Sequence, residues 1–230
     1  MIKNKIFVIE PMFSNNLILK KELIRYFKNI DFNYKKISKP NLIKRIENAE
    51  GVILGLQPFD KEVISNAKKL KIIAKFGVGM DNVDIPQCLK KNITIKRAIN
   101  CNALSVAEMV IANSINIQRN INKNFINLKN EYWRKFDGGE IYQKKFGIIG
   151  LGSIGKEVVK RLKPFGCQIL INDIKVDRKF CLKNKLRSVS LKTILKESDI
   201  ISLHVPLTNK TFKMISSKEL KIIKKDCILI

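Results

Sequence analysis

Six residues, Gly150-Leu151-Gly152-Ser153-Ile154-Gly155, constrain this chain more than any others. They follow an apolar, strand-like run, Phe146-Gly147-Ile148-Ile149, and lead into an amphipathic stretch that opens at Ile154. A second apolar run, Gln168–Asn172, ends at a carboxylate, Asp173. Strand, glycine turn, helix, strand, acid is the order that a dinucleotide requires. Gly150 permits the tight turn, Gly152 lets a pyrophosphate approach the backbone, and Gly155 lets the helix lie close to the strand. The helix start at Ser153 and Ile154 offers free N–H groups and the positive end of the helix dipole to phosphate. Ile154, Val158, Leu162 and Phe165 recur on one helical face, which is expected to meet the sheet. Asp173 is suited to accept from ribose hydroxyls and to repel a 2′-phosphate, which favours NAD over NADP; Lys175 and Arg178 nearby weigh the other way. A lone Gly-x-Gly-x-x-Gly also occurs as an ordinary α/β turn, so the flanking elements carry the assignment.

The rest of the chain alternates in the same manner. Strand-like runs stand at Ile6–Ile9, Val52–Leu54, Ile72–Ala74 and Ile93–Ile95, with helical patterns at Leu17–Phe27, Leu42–Ile46 and Lys61–Ala67 between them. Short apolar runs spaced by helices predict a parallel sheet covered on both faces. Ser105-Val106-Ala107-Glu108 has the spacing of a capping box and predicts a long helix from Ser105 to about Leu128. That role accounts for Glu108 without catalysis. Asn130–Gly139, with the only tryptophan, Trp133, reads as a connection. Beyond it, strands are expected at Phe146–Ile149, Ile169–Ile171, Ile200–Leu203 and Cys227–Ile230. Helices are expected at Ile154–Phe165, Leu191–Glu197 and Ser216–Lys224, the last with a capping box of Ser216 and Glu219. The domain boundary is expected near Ala98–Asn102.

Composition excludes several classes. No apolar run approaches the ~18 residues that span a bilayer, and the N-terminus lacks a signal-peptide core, so a cytoplasmic location is expected. Five scattered cysteines, no Cys-x-x-Cys and a single histidine argue against a metal site and for reduced thiols. The formal net charge of +25 is dispersed in pairs such as Lys68-Lys69 and Lys144-Lys145 rather than clustered. This favours a general attraction of anions over a nucleic-acid footprint.

Four blocks resemble the D-isomer-specific 2-hydroxyacid dehydrogenases, and among them most the D-3-phosphoglycerate dehydrogenases. They are Phe76-Gly77-Val78-Gly79-Met80-Asp81-Asn82-Val83-Asp84, Asn102 through Glu108, Phe146 through Gly155 with Asp173, and Leu203-His204-Val205-Pro206-Leu207-Thr208; Trp133-Arg134 also fits. The blocks are ordered as in that family and cover most of residues 50–230. The resemblance implies an α/β fold of two doubly wound parallel-sheet domains. Residues 1–99 form a flavodoxin-like substrate domain lacking its C-terminal helix, and 100–230 an incomplete NAD-binding Rossmann domain. It implies that the N–H groups of Val78 and Gly79 hold the substrate carboxylate, as fixed donors in a short anion-binding turn. It implies that His204, Val205 and Pro206 line the nicotinamide–ribose side, with His204 not the proton carrier. Asn102 is left as either hinge or cofactor contact, and Ile99 stands where the family often has proline.

Hydride transfer to a keto acid also needs a cation on the substrate and a proton donor tuned near neutral pH. In the family the arginine, glutamate and histidine that serve these needs follow the strand that here reads Cys227–Ile230. The expectation is therefore a truncated NAD-dependent enzyme for a small 2-hydroxy or 2-keto acid, 3-phosphoglycerate of serine biosynthesis in its full form, paired as a homodimer. The alternative is a catalytically inactive NAD-binding and dimerisation module.

Overall fold

The structure, a computed structural model, describes residues 2–134 and 136–230; Lys135, inside the expected connection, lies outside them. The chain divides into two compact units, Met1–Ile99 and Asn100–Ile230.

The first unit holds β1 (Ile2–Val8), β2 (Phe27–Phe32), β3 (Gly51–Leu54), β4 (Ile72–Lys75) and β5 (Thr94–Arg97). All are parallel, in the order β2-β1-β3-β4-β5. This is the flavodoxin-like 2-1-3-4-5 arrangement. The connecting helices are α1 (Pro11–Asn15), α2 (Leu17–Tyr26), α3 (Lys39–Ile46), α4 (Lys61–Asn66) and α5 (Ile85–Lys90). Their starts are set locally. Pro11, Pro40 and Pro86 fall in first turns, and Asn16, Asp60 and Asp84 accept first-turn N–H groups. Phe7, Leu42, Ile46, Phe59, Ile64 and Ile73 fill the core, each contributing roughly 1.5–3 kcal/mol of transfer free energy.

The second unit opens on α6 (Ala103–Gln118) and α7 (Ile121–Lys129). Its sheet comprises β6 (Lys145–Ile149), β7 (Gln168–Asn172), β8 (Arg187–Ser188), β9 (Ile200–Leu203) and β10 (Ile228–Leu229). The order β10-β9-β6-β7-β8, all parallel, is the 3-2-1-4-5 order of a Rossmann sheet. Helices α8 (Ser153–Leu162), α9 (Arg178–Asn184), α10 (Leu191–Glu197) and α11 (Ser217–Leu220) complete it.

Several expectations are corrected. The single helix to Leu128 is two, because Asn120 takes a left-handed φ of 52° and ends the first. The capping box at Ser105 does not form. Helix α6 starts earlier, at Ala103, so Ser105 lies inside its first turn and its hydroxyl donates back to the Asn102 carbonyl at 3.0 Å. Glu108 instead reaches Arg161 of α8 at 3.5 Å. Helix α2 stops at Tyr26 and the chain passes directly into β2, whose mixed sequence Phe-Lys-Asn-Ile-Asp-Phe hides a strand. Phe165 is exposed, because α8 gives way to a 3-10 turn at Lys163–Phe165; its buried face is Gly155, Val158, Val159 and Leu162. The Ser216–Glu219 capping box is present, on a helix that ends at Leu220 rather than Lys224.

Candidate functional site

In open parallel sheets, ligands bind outside the carboxyl ends of the strands, where the strand order reverses. That point falls between β1 and β3 in the first unit and between β6 and β9 in the second. A glycine turn stands at the carboxyl edge of each sheet.

In the second unit, β6 ends at Gly150, whose φ is +98°. A side chain there is excluded twice: by that backbone conformation, and by the His204 carbonyl oxygen, 2.6 Å from where a Cβ would lie. Gly155 is held against the Gly150 carbonyl, leaving no room for a Cβ, so α8 lies directly on the strand end. Gly152 differs from both, since a Cβ there would meet nothing within 4 Å. That open space lies over the start of α8, a ten-residue helix with no side-chain cap. Among the described residues nothing accepts from the N–H groups of Gly152, Ser153 or Ile154. Free donors, an uncapped helix start and open space fit a pyrophosphate. A cleft of about 900 Å³ extends from here past Ser153, Lys156, Phe180 and Lys183.

Asp173 stands just past β7 and is bonded through both carboxylate oxygens. Its Oδ2 accepts from the Leu151 N–H at 2.6 Å and its Oδ1 from the Lys175 N–H at 2.7 Å. The carboxylate therefore ties the middle of the glycine turn to the neighbouring strand end. The Ser153 hydroxyl donates to Asn100 Oδ1 at 2.6 Å. Lys156 pairs with Asp177 at 2.6 Å, and that hydrogen bond holds the Asp177 carboxyl below its usual range.

His204 and Val205 flank Gly150: the His204 N–H donates to Ile149 O at 2.7 Å, and Val205 Cγ1 lies 3.0 Å from the excluded Cβ position. His204 Nε2 lies 2.9 Å from Ser202 Oγ, and burial pushes its pKa down to about 4. It is neutral at pH 7 and has no carboxylate partner among the described residues, so it is poorly suited to carry a proton. The Pro206 carbonyl accepts from the Thr211 hydroxyl at 2.5 Å. Asn102 directly precedes α6 and caps it with no side-chain bond.

In the first unit the turn follows β4. Gly77 has a φ of +133°, and nothing approaches its side-chain position. Among the described residues nothing accepts from the N–H groups of Val78 or Gly79. The Val78 carbonyl is held by Arg97 Nη1 at 2.8 Å. Besides Arg97, two more donors of this neighbourhood go unmarked by sequence reasoning, Lys75 and Asn82. The signal was available: a lysine ending an apolar strand run, and an asparagine just beyond a Gly-x-Gly turn. Lys75 is only 7% exposed. Burial lowers its pKa, opposed by the charges of Asp81 and Glu10. Among the described residues no group of three or more His, Cys, Asp or Glu could hold a metal, and no helix is long and apolar enough to cross a membrane.

Comparison with known proteins agrees with this arrangement. A family model described as D-isomer specific 2-hydroxyacid dehydrogenase, NAD binding domain, matches residues 111–230. Another, described as the catalytic domain of the same enzymes, matches residues 11–134. D-3-phosphoglycerate dehydrogenase of Methanocaldococcus jannaschii is 34% identical over 198 residues, covering 84% of this chain and 38% of that protein. Glyoxylate reductase of Thermococcus litoralis is 32% identical over 243 residues, covering 100% of this chain and 72% of that protein. Among solved structures, NAD+-bound 3-phosphoglycerate dehydrogenase of Entamoeba histolytica superposes with a TM-score of 0.79 at 28% identity, covering 99% of this chain and 71% of that one. The chain thus spans well under half of one curated relative and nearly three quarters of the other.

Proposed function

The chain belongs to the D-isomer-specific 2-hydroxyacid dehydrogenases, and from that premise we propose that it holds NAD at Gly150–Gly155 and a 2-hydroxy or 2-keto acid at Gly77–Gly79. The observation that carries this is the row of free N–H groups at Gly152, Ser153 and Ile154 beneath open space, tied at Leu151 to Asp173. Bound NAD supplies or accepts the hydride. Gly152, Ser153 and Ile154 bind the pyrophosphate, Gly150 and Gly155 shape the turn, and Asp173 takes the ribose diol with its remaining lone pairs. His204 and Val205, beside Gly150, and Pro206 after them border the nicotinamide–ribose side. Val78 and Gly79 orient the substrate carboxylate through backbone N–H groups.

The substrate proposed is a short D-2-hydroxy acid, with 3-phosphoglycerate foremost because the Methanocaldococcus jannaschii relative is named for it. Relatives named for glyoxylate and hydroxypyruvate reduction keep those two acids in the test panel. The exposed apolar residues Leu104, Met109, Phe125 and Leu128 on α6 and α7 support pairing into a homodimer, and the compartment proposed is the cytoplasm.

The one histidine of the sequence is half-buried and neutral at pH 7. It favours the second reading, an NAD-binding module without turnover, for these 230 residues taken alone. NADH fluorescence titration tests the binding claim: saturable binding is expected, and a folded chain that binds no NADH contradicts it. Assay of the same sample with glyoxylate, hydroxypyruvate and 3-phosphohydroxypyruvate is expected to show no turnover above background. Robust turnover would place the acid/base among these residues.

A further inference from the structure

We propose that Lys75 and Asn82 are positioning residues that lock the Gly77-Val78-Gly79 turn through one shared acceptor, the carbonyl oxygen of Gly55. The two residues stand at the two ends of that turn, Lys75 as the last residue of β4 and Asn82 just past Asp81. Lys75 Nζ donates to Gly55 O. Asn82 Nδ2 donates to the same oxygen at 3.0 Å and to Gln57 O at 2.7 Å. Both ends of the turn are thus tied to one point at the carboxyl end of β3, at the edge where the strand order reverses. The backbone adds support on the Asn82 side, where Phe59 N–H donates to Asn82 O at 2.7 Å.

Gly55 itself is fixed from the other side. A Cβ on it would overlap the carboxylate of Glu10, a residue only 9% exposed that caps α1 through the Met12 N–H at 3.1 Å. Glycine at 55 therefore admits a buried acid on one face while its carbonyl takes two donors. The charged groups around Lys75 are Glu10 and Asp81.

This arrangement separates two roles that a cation beside an anion site might otherwise combine. The Lys75 ammonium is buried and directed to Gly55 O, so it acts on a bound carboxylate through the turn rather than by touching it. The free N–H groups of Val78 and Gly79 remain as the contact donors. They hold their direction only while both ends of the turn are pinned, because a donor fixed before binding costs little to order.

The inference rests on reading this turn as the carboxylate site, and the two units supply an internal control. Isothermal titration of the 230-residue chain with oxamate, an unreactive 2-keto-acid analogue, is compared with titration by NADH. Asn82→Asp keeps the shape and removes the donor; Lys75→Met keeps the length and removes the ammonium. Each is expected to raise the oxamate Kd about tenfold, the order of effect of losing a side-chain tie to backbone carbonyls. The double variant is expected to be little worse than either alone, since both donors serve one oxygen. NADH affinity is expected to stay within about twofold, because neither Lys75 nor Asn82 belongs to the unit that carries the Gly150–Gly155 turn. Val78 and Gly79 backbone order parameters should fall in Lys75→Met, which gives a readout if Asn82→Asp does not fold. Unchanged oxamate affinity in the single variants overturns the inference, as does a double variant showing the full product of the two losses. A wild-type chain that binds NADH but not oxamate overturns the carboxylate reading, and the inference with it.

Discussion

The two units carry the same device, a glycine turn at the carboxyl edge of a five-stranded parallel sheet, and hold it in opposite ways. The Gly150–Gly155 turn is held by close backbone approach. Gly150 lies against the His204 carbonyl and Gly155 against the Gly150 carbonyl, with one carboxylate, Asp173, closing the middle. The Gly77–Gly79 turn has no backbone packed against either glycine and is held by side chains, Lys75 and Asn82 at its ends and Arg97 on the Val78 carbonyl. A turn made by packing tolerates no added atoms. A turn pinned by polar side chains tolerates added atoms and instead depends on particular donors.

The largest expected effect breaks this contrast at its strongest point. Gly155→Val forces a branched side chain into the Gly150 carbonyl and should destabilise the second unit by about 3 kcal/mol. Gly79→Ala places its Cβ 2.9 Å from Asp81 Oδ1, the end of an exposed side chain that can move. It should cost no more than about 0.5 kcal/mol. Urea unfolding of both variants checks the pair, and equal losses would dissolve the distinction. Gly77→Ala falls between them at about 1–3 kcal/mol, from backbone strain alone at a φ of +133°.

Next in size is Asp173→Ala. It removes both the proposed ribose acceptor and the tie to Leu151, so the NADH Kd should rise tenfold or more by fluorescence titration, as expected for hydrogen bonds to a charged group. The Leu151 amide should also exchange faster with solvent. Gly152→Ala sharpens the same point from the other side. Its Cβ meets nothing in the protein, so stability should stay within about 0.5 kcal/mol, while NADH affinity falls because the methyl occupies the proposed pyrophosphate space.

Much of the second unit was legible because its signals are local. Gly-Leu-Gly-Ser-Ile-Gly between an apolar run and an amphipathic one needs no distant partner to be read, and Ser216 with Glu219 form their box within one turn. The misreadings came where distant atoms decide. Helix α6 and α7 separate at a left-handed Asn120 that periodicity does not register. Glu108 meets Arg161 across two helices. Strand β2 is polar at Lys28, Asn29 and Asp31, and forms because β1 offers it a partner. Lys75 and Asn82 were passed over for the same reason: their shared acceptor, Gly55, lies on another strand.

A last effect is expected in pH. His204 has a folded pKa near 4, below its unfolded value near 6.5. The unfolded chain therefore binds more protons between those values, and the stability from burying neutral His204 is present above pH 6.5 and lost as pH falls toward 4. Urea midpoints for the wild type relative to His204→Gln should be constant from pH 7 to 8 and decline from pH 6 to 4.5. NADH binding should show no titration of His204 between pH 6 and 8.

The central claim is that the two turns are two separate anion sites with different ligands. Backbone amide chemical shifts followed by two-dimensional NMR test it most directly. NADH should move Gly152, Ser153 and Ile154 and leave Val78 and Gly79 in place, while oxamate should do the reverse. Shifts from NADH at Val78 and Gly79 alone, or from neither ligand at either turn in a folded chain, would contradict it.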